Sequence, residues 1–270
     1  MSGNAPAAAT ADVRVERVPV PVETRAPDGR TNAYLVAGGT TLLVDPPARS
    51  DDLDAAVDDA DPGVDHVAVT HTHPDHVGAV AAYAERTGAT VWARRGRETA
   101  FEAATGVAPD RTFVEGDRVG PATALDLQGH APDGVGFETD AGVVCGDVAV
   151  AEGSVVVGAP DGDVRAYLTA LRRLHARDPP RLFAGHGAVV DDPRATCERL
   201  IDHRLTRERA VLAAVEGGAR SLDGVLAAAY GKDLTGVRDL ARATVRAHVE
   251  KLVRDGDLRW DADAERVDLA

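Results

Sequence analysis

Apolar residues run through this chain in short blocks, and the spacing of each block predicts an element. "TNAYLVAGGTTLLVD" (31–45) reads as two strands joined across Gly38-Gly39, because a glycine pair between apolar runs supplies a tight hairpin turn. "SDDLDAAVDDA" (50–60) reads as a helix opened by Ser50, with acids in its first turn. "VDHVAVT" (64–70) is a buried strand, "VGAVAAYAERTG" (77–88) a helix stopping at Gly88, "ATVWARR" a strand and "RETAFEAAT" a helix. Strands alternating with helices predict an α/β core. Further on, "TALDLQGH", "VGFETDAGVVCGD" and "SVVVGA" are strand-like runs separated by Gly and Asp, the middle one a hairpin turning over Thr139–Gly142. The helix "DVRAYLTALRRLHAR" (163–177) and the strand "RLFAGHG" (181–187) follow. Two such halves, each with outer helices, fit a layered sandwich better than a doubly wound sheet.

Asp192 caps and Pro193 starts a long helix that runs to Gly217-Gly218. A Ser-capped helix "SLDGVLAAAY", the helix "RDLARATVRAHVEKLVRDG" and the hairpin "DLRWDADAERVDL" complete the chain. Helices followed by a hairpin suggest a small winged-helix domain. The expected organisation is therefore a loose tail over 1–12, a catalytic domain over 13–205 and a winged-helix-like domain over 206–270.

Composition adds a setting. At 270 residues and 44% hydrophobic content the chain has the material for a full core. No apolar run reaches the roughly 18 residues that span a bilayer, and the first dozen residues lack a signal peptide's basic start and apolar run. A soluble cytoplasmic protein with no membrane partner is expected. Formal charge is -14, and of the 30 bases only Lys232 and Lys251 are lysines. Such a surface stays hydrated in concentrated salt, which predicts a salt-loving host and weakens any argument from acidity against nucleic-acid binding. Cys145 and Cys197 form no CxxC pair and are expected to be buried bystanders.

The chemistry is concentrated in "AVTHTHPDHVGA" (68–79), where His71, His73, Asp75 and His76 fall within six residues. Side chains two apart on an extended segment share a side, so His71 and His73 can grip one ion. Asp75 and His76 come where the chain turns into a helix and can face a second ion. Imidazole and carboxylate suit zinc, and iron or manganese occupy similar sites. His130, Asp147 and His186 each close an apolar strand, and strand ends bring distant segments to one rim. Other polar residues read as structural: His66 and His175 as surface groups, His248 as packing or solvated, Arg94 and Arg95 as a solvated face. His203 and Arg204 read equally as pins for the long helix or as part of the site, and Asp45 as a support behind the ligands.

HxHxDH at 71–76, followed by His130, Asp147 and His186 in that order, resembles the metallo-β-lactamase superfamily. The resemblance covers roughly residues 13–205 and implies an αββα sandwich with a dinuclear site, usually of two Zn2+ ions. It implies that His71, His73 and His130 hold the first metal, that Asp75, His76 and His186 hold the second, and that Asp147 bridges them. Asp75 is expected also to orient the attacking hydroxide and take its proton. "GHAPDG" and "AGHG" look like the branch containing glyoxalase II, although "DPP" at 45–47 stands where a glycine-containing turn is usual. "GSVVVGAPDGDVRAYLTALRRL", "DHRLTRERAVL" and the C-terminal segment resemble β-lactamase-like hydrolases with an appended winged helix, a group that includes single-strand endoribonucleases.

Substrate expectations follow from that resemblance and from charge. Residues 206–270 carry 11 bases against 12 acids, whereas residues 1–205 carry 19 against 32. Arg238, Arg242, Arg246, Lys251 and Arg254 lie near one face of the last helix, where they can meet phosphate. Single-stranded RNA is the expected substrate and a glyoxalase II-type thioester the alternative. A winged helix also serves for dimerisation, so a second copy of the chain is a further expected partner.

Overall fold

The hairpin at Gly39 starts a sheet that carries one half of the site. A computed structural model describes residues 12–231 and 233–270; nearly all of the expected N-terminal tail, and Lys232, lie outside the described residues. β1 (Arg14–Pro21), β2 (Arg30–Gly38) and β3 (Thr40–Val44) pair antiparallel, and Gly39 takes the positive φ of 72° that the two-stranded turn requires. α1 (Asp51–Asp58) is capped by the Ser50 side chain accepting from the Leu53 amide. β4 (Val64–Ala68), β5 (Thr90–Arg94) and β6 (Arg111–Phe113) then add in parallel, giving the order β1-β2-β3-β4-β5-β6. Between them lie α2 (Pro74–Val77), α3 (Val80–Thr87) and α4 (Glu98–Thr105). The single helix expected over 77–88 is thus interrupted. The break lets the chain seat on Pro46-Pro47, with the Ala79 amide donating to the Pro46 carbonyl and no room for a side chain at Gly78 against the Pro47 carbonyl.

β7 (Arg118–Val119), β8 (Ala122–Asp126), β9 (Val135–Thr139), β10 (Gly142–Gly146) and β11 (Leu182–Ala184) form a second sheet in the order β11-β10-β9-β8-β7. α5 (Val164–Arg177) and α6 (Pro193–Glu216) cover its outer face. Three apolar clusters reveal four layers. Ala33, Leu35, Leu43 and Val67 pack outward against Leu53, Tyr83 and Phe101 of the first helices. Tyr34, Val36, Leu42 and Val44 face Ala124, Val135, Phe137 and Val144 of the other sheet. Leu125, Val143 and Cys145 pack against Tyr167, Leu171, Cys197 and Leu200. Neighbours in sequence alternate between clusters, as a two-residue strand period demands. This is the expected αββα sandwich.

α6 continues past the sandwich, its Val211 and Val215 packing with α7 (Leu222–Ala229), α8 (Arg238–Asp255) and the hairpin β12 (Leu258–Asp261)–β13 (Arg266–Leu269). One continuous helix therefore serves both cores, and residue 206 lies inside it. Ala247 of α8 joins the cluster under α5, so the C-terminal helices rest on the sandwich. "SVVVGA" forms no strand among the described residues; its backbone groups are taken by side chains and by α8, as detailed below. No helix in the described residues is long and apolar enough to cross a membrane.

His248 gives this junction an acid sensitivity. It is fully buried, without a hydrogen-bond partner on either ring nitrogen among the described residues, and a Glu208 carboxylate oxygen is 3.9 Å from Nδ1. Burial, reinforced by Arg204, Arg207, Lys251 and His203, lowers it to about 3. The unfolded chain takes up this proton near pH 6.5 and the folded chain does not. Stability is thus lost as pH falls from about 6.5, by up to roughly 1.4 kcal/mol per pH unit from this group. His248→Leu is expected to flatten that limb, measured as urea midpoints between pH 7 and pH 4; an unchanged slope refutes the assignment.

Candidate metal centre

Four strand ends deliver the site. Beyond β4 the chain stays extended through His73, whose φ of -65° and ψ of 144° suit a residue preceding proline. Pro74 then starts α2, and its single turn swings Asp75 and His76 inward. His130 follows β8, Asp147 follows β10 and His186 follows β11. All seven expected side chains converge. Three sets offer ligand atoms within 4.8 Å of one another: His71, His73 and His130; His71, His76 and Asp147; Asp75, His76 and His186.

The internal geometry joins these sets into one cluster. His71 Nε2 and His130 Nε2 each lie 3.0 Å from His73 Nδ1. Asp147 Oδ1 is 3.5 Å from His76 Nε2, while Asp147 Oδ2 is 3.6 Å from His130 Nε2 and 3.3 Å from His186 Nε2. Asp75 Oδ2 is 3.6 Å from His186 Nε2. Asp147 therefore stands between the two outer sets.

The opposite ring nitrogens show which tautomers are held. A carbonyl only accepts, so His130 Nδ1–H donates to the Val156 carbonyl (2.7 Å) and His186 Nδ1–H to the Arg30 carbonyl (2.7 Å). His76 Nδ1–H donates to Asp45 Oδ2 at 3.0 Å. Thr70 Oγ1 donates to that same oxygen (2.6 Å), which leaves its lone pairs to accept from His71 Nδ1–H at 3.1 Å. Four imidazoles are thus turned with Nε2, the nitrogen an ion would take, into the cleft. Outer hydrogen bonds of this kind orient metal-binding histidines.

Charge in the cleft is unevenly shared. Burial alone would raise the Asp147 carboxyl, but His76, a hydrogen bond from His186, and His130 and His71 hold it well below the usual range. Burial opposes protonation of His186 too, yet the hydrogen bond and charge of Asp147 push it up to about 9. His76 is raised against its burial by Asp147 and Asp45. His71, by burial and by His76 and His130, lies well below its ordinary value, and His73 is lowered by burial and the same imidazoles. Protons fill this cluster only in part.

A cation fits where protons do not. Among the described residues His76 Nε2 and Asp147 Oδ1 are buried without a hydrogen-bond partner, 3.5 Å apart, an expensive state for two polar atoms. Space for an ion is kept by Gly185, where a Cβ would come 2.4 Å from Asp147 Oδ1 and 2.7 Å from the His76 ring. Imidazole and carboxylate donors without thiolate suit zinc, iron or manganese.

Several supports were not legible as site residues. Thr24, in the β1–β2 connection, donates from Oγ1 to Asp75 Oδ2 at 2.5 Å. Thr70 adjoins the histidine motif and offered a signal; Thr24 offered none. Asn32 and Tyr34 hold the turn before His186 by donating to the Ala184 carbonyl. Asp45 is fully buried at φ 51°, the left-handed conformation that short polar side chains tolerate, so "DPP" does without a glycine. The remaining histidines lie elsewhere. His66 accepts from Trp92 Nε1 and His175 meets Glu198. Arg94 is spent on Asp126 and the Pro132 carbonyl. Cys145 and Cys197 are buried free thiols.

Comparison with known proteins agrees with this geometry. Residues 26–186 match the family model of the metallo-beta-lactamase superfamily. A beta-lactamase-like protein 2 homolog of Drosophila melanogaster is 26% identical over 258 residues, covering 87% of this chain and 86% of that protein. The thioesterase pkgB of Emericella nidulans is 28% identical over 191 residues, 68% of this chain and 53% of that one. Among solved structures, a beta-lactamase domain protein from Burkholderia ambifaria superposes with a TM-score of 0.75 at 22% identity, over 99% of this chain and 97% of that one. A metallo-beta-lactamase family protein from Thermus thermophilus gives 0.74 at 21%, over 95% and 98%. The chain belongs to the metallo-β-lactamase superfamily of hydrolases.

Proposed function

We propose that this hydrolase is dinuclear and zinc-dependent, with His71, His73 and His130 holding one ion, Asp75, His76 and His186 the other, and Asp147 between them. The observation that carries this reading is a pair of buried polar atoms, His76 Nε2 and Asp147 Oδ1, that lack a hydrogen-bond partner among the described residues and lie inside a convergent set of seven side chains able to ligate. Two bound dications supply a water acidified towards neutrality and positive charge for a developing oxyanion. The chain's own residues do the rest. Asp75 orients that water and accepts its proton, and the Thr24 hydroxyl fixes the Asp75 rotamer. The imidazoles hold their lone pairs forward because Asp45, Thr70 and two backbone carbonyls occupy their other nitrogens.

For the scissile bond we place a thioester ahead of RNA. Phosphate contact was expected from the bases of α8, and each of them faces a carboxylate. Arg238 pairs with Asp223 (2.9 Å), Arg242 with Glu265 (2.9 Å), Arg246 with Glu250 (2.8 Å) and Lys251 with Asp255 (2.7 Å). Arg254 pairs with Asp163. A polyanion would have to displace these carboxylates, which lowers the gain from each contact. Relatives named as thioesterases point the same way. RNA cleavage is the second reading, favoured by the helix, helix, helix and hairpin order of the C-terminal region.

Purified protein in high salt should contain about two transition-metal ions per chain by elemental analysis, the count of a two-metal site. It should turn over a generic or lactoylated thioester and leave a labelled unstructured RNA intact. RNA cleavage without thioester turnover reverses the substrate order. Only a trace of metal removes the hydrolytic mechanism altogether.

A further inference from the structure

Among the described residues Arg204 is a buried cation with no counter-ion. It is 2% exposed, and among the described residues no carboxylate pairs with it. Its Nη2 donates to the Val155 carbonyl, its guanidinium carbon lies 5.7 Å from the centre of the Tyr167 ring, and its Nε has no partner. Anchoring α6 to the sandwich needs no charge, since leucine or methionine would do so without the several kcal/mol that burying an ion costs. Among the described residues the hydrogen-bond acceptor this charge serves is the Val155 carbonyl.

That acceptor is one residue from a carbonyl that orients the site. Val155 to Gly158 joins no ladder among the described residues, and Val155 and Val157 are buried where Val156 is exposed, the alternation of an extended chain, so nothing in a sheet fixes its carbonyls. The Val156 carbonyl accepts from His130 Nδ1, and further along the Ala159 amide donates to the Ala243 carbonyl of α8 (3.0 Å). Successive carbonyls of an extended chain point to opposite sides. Drawing the Val155 oxygen towards α6 therefore turns the Val156 oxygen towards His130. The other flank of His130 leans on the same support: a Cβ at Gly129 would come 2.2 Å from the Tyr167 amide nitrogen, and the Gly129 carbonyl accepts from the Asp163 amide. Arg204 lies over the ring of that Tyr167.

We propose that Arg204 is a positioning residue for His130, setting the tautomer and aim of that ligand through the Val155–Val156 backbone. The sandwich's first metal set is then completed by a side chain from the helix that carries the C-terminal core. The inference rests on the reading of His130 as a metal ligand.

The test is a cobalt(II) titration of the metal-stripped full-length chain, followed by its visible absorption, which resolves the two binding steps. His130→Ala identifies the step that belongs to the first set. Arg204→Met should weaken that step about tenfold, the lower end of the range for outer-shell partners, and leave the other unchanged. Arg204→Lys, which can still donate to the carbonyl, should recover most of the loss. Leu200→Ala, which loosens the same helix but removes no hydrogen bond to the Val155 carbonyl, should bind both ions as the parent does. Parent-like binding by Arg204→Met overturns the proposal, as does equal weakening in Leu200→Ala. If Arg204→Met does not fold, Arg204→Gln and Arg204→Lys carry the test, and the shorter Gln must bind the first ion more weakly than Lys. An unaltered titration for His130→Ala removes the ligand assignment itself, and the proposal with it.

Discussion

Asp75→Asn is expected to lower turnover by roughly 10²–10⁴-fold at saturating metal, the usual contribution of a positioned general base. The substitution is nearly isosteric, and the Thr24 hydroxyl can donate to an amide oxygen as it does to the carboxylate. The fold should therefore survive. What is lost is the ability to take a proton, together with some hold on the ion proposed for the Asp75 set, because an amide is a weaker ligand. The loss should fall on kcat, with KM little changed, since the substrate meets the same walls. Thr24→Val, which frees the Asp75 rotamer and keeps its charge, should lie between the parent and Asp75→Asn. A preparation of Asp75→Asn that holds two ions and runs at the full rate would show that Asp75 is a ligand only.

How far these roles can be read in advance depends on the range of the interaction that creates them. Ser50, Asp192-Pro193 and Ser221 announce helices because a cap acts on the next three residues. Gly39 and Gly88 take positive φ where the apolar blocks break. The converging side chains are legible for a related reason, since they come from strand ends and strand ends share a rim. What escapes local reading is contact across the chain. The charges of α8 suggest a basic face, but Arg254 is neutralised by Asp163 and Arg238 by Asp223, which no short-range pattern pairs with them. "SVVVGA" has strand composition, yet its carbonyls go to Arg204 and His130. The carbonyls of Arg30 and Val156 that orient His186 and His130 carry no residue signature at all. The side chains that converge were visible, and the groups that orient them largely were not.

Asp45 is the exception, since it could be suspected behind the site, and it separates folding from metal binding. Its carboxylate accepts from the Thr70 amide (2.6 Å), from Thr70 Oγ1 (2.6 Å) and from His76 Nδ1 (3.0 Å), with no exposure to water. Asp45→Ala leaves these donors without a buried acceptor, at about 1–3 kcal/mol for each that finds no substitute. It also places alanine at φ 51°, costing about 1–2 kcal/mol more. A loss of about 3–5 kcal/mol is expected, a large share of an ordinary domain's stability, and read as a shift in urea midpoint. Asp45→Asn behaves differently. Asparagine tolerates the left-handed backbone and can accept from the Thr70 amide, so the fold is largely kept. Its NH2, however, turns towards His76 Nδ1, which must then become the acceptor. The His76 proton moves to Nε2, where it satisfies Asp147 Oδ1 and covers the lone pair that the ion needs. Asp45→Asn should therefore melt close to the parent when both are stripped of metal. Its affinity at the His76 set should fall by about 10–100-fold, measured by metal titration. If Asp45→Asn binds both ions as the parent does, the His76 tautomer is not set by Asp45, and the cleft holds its ligands by packing alone.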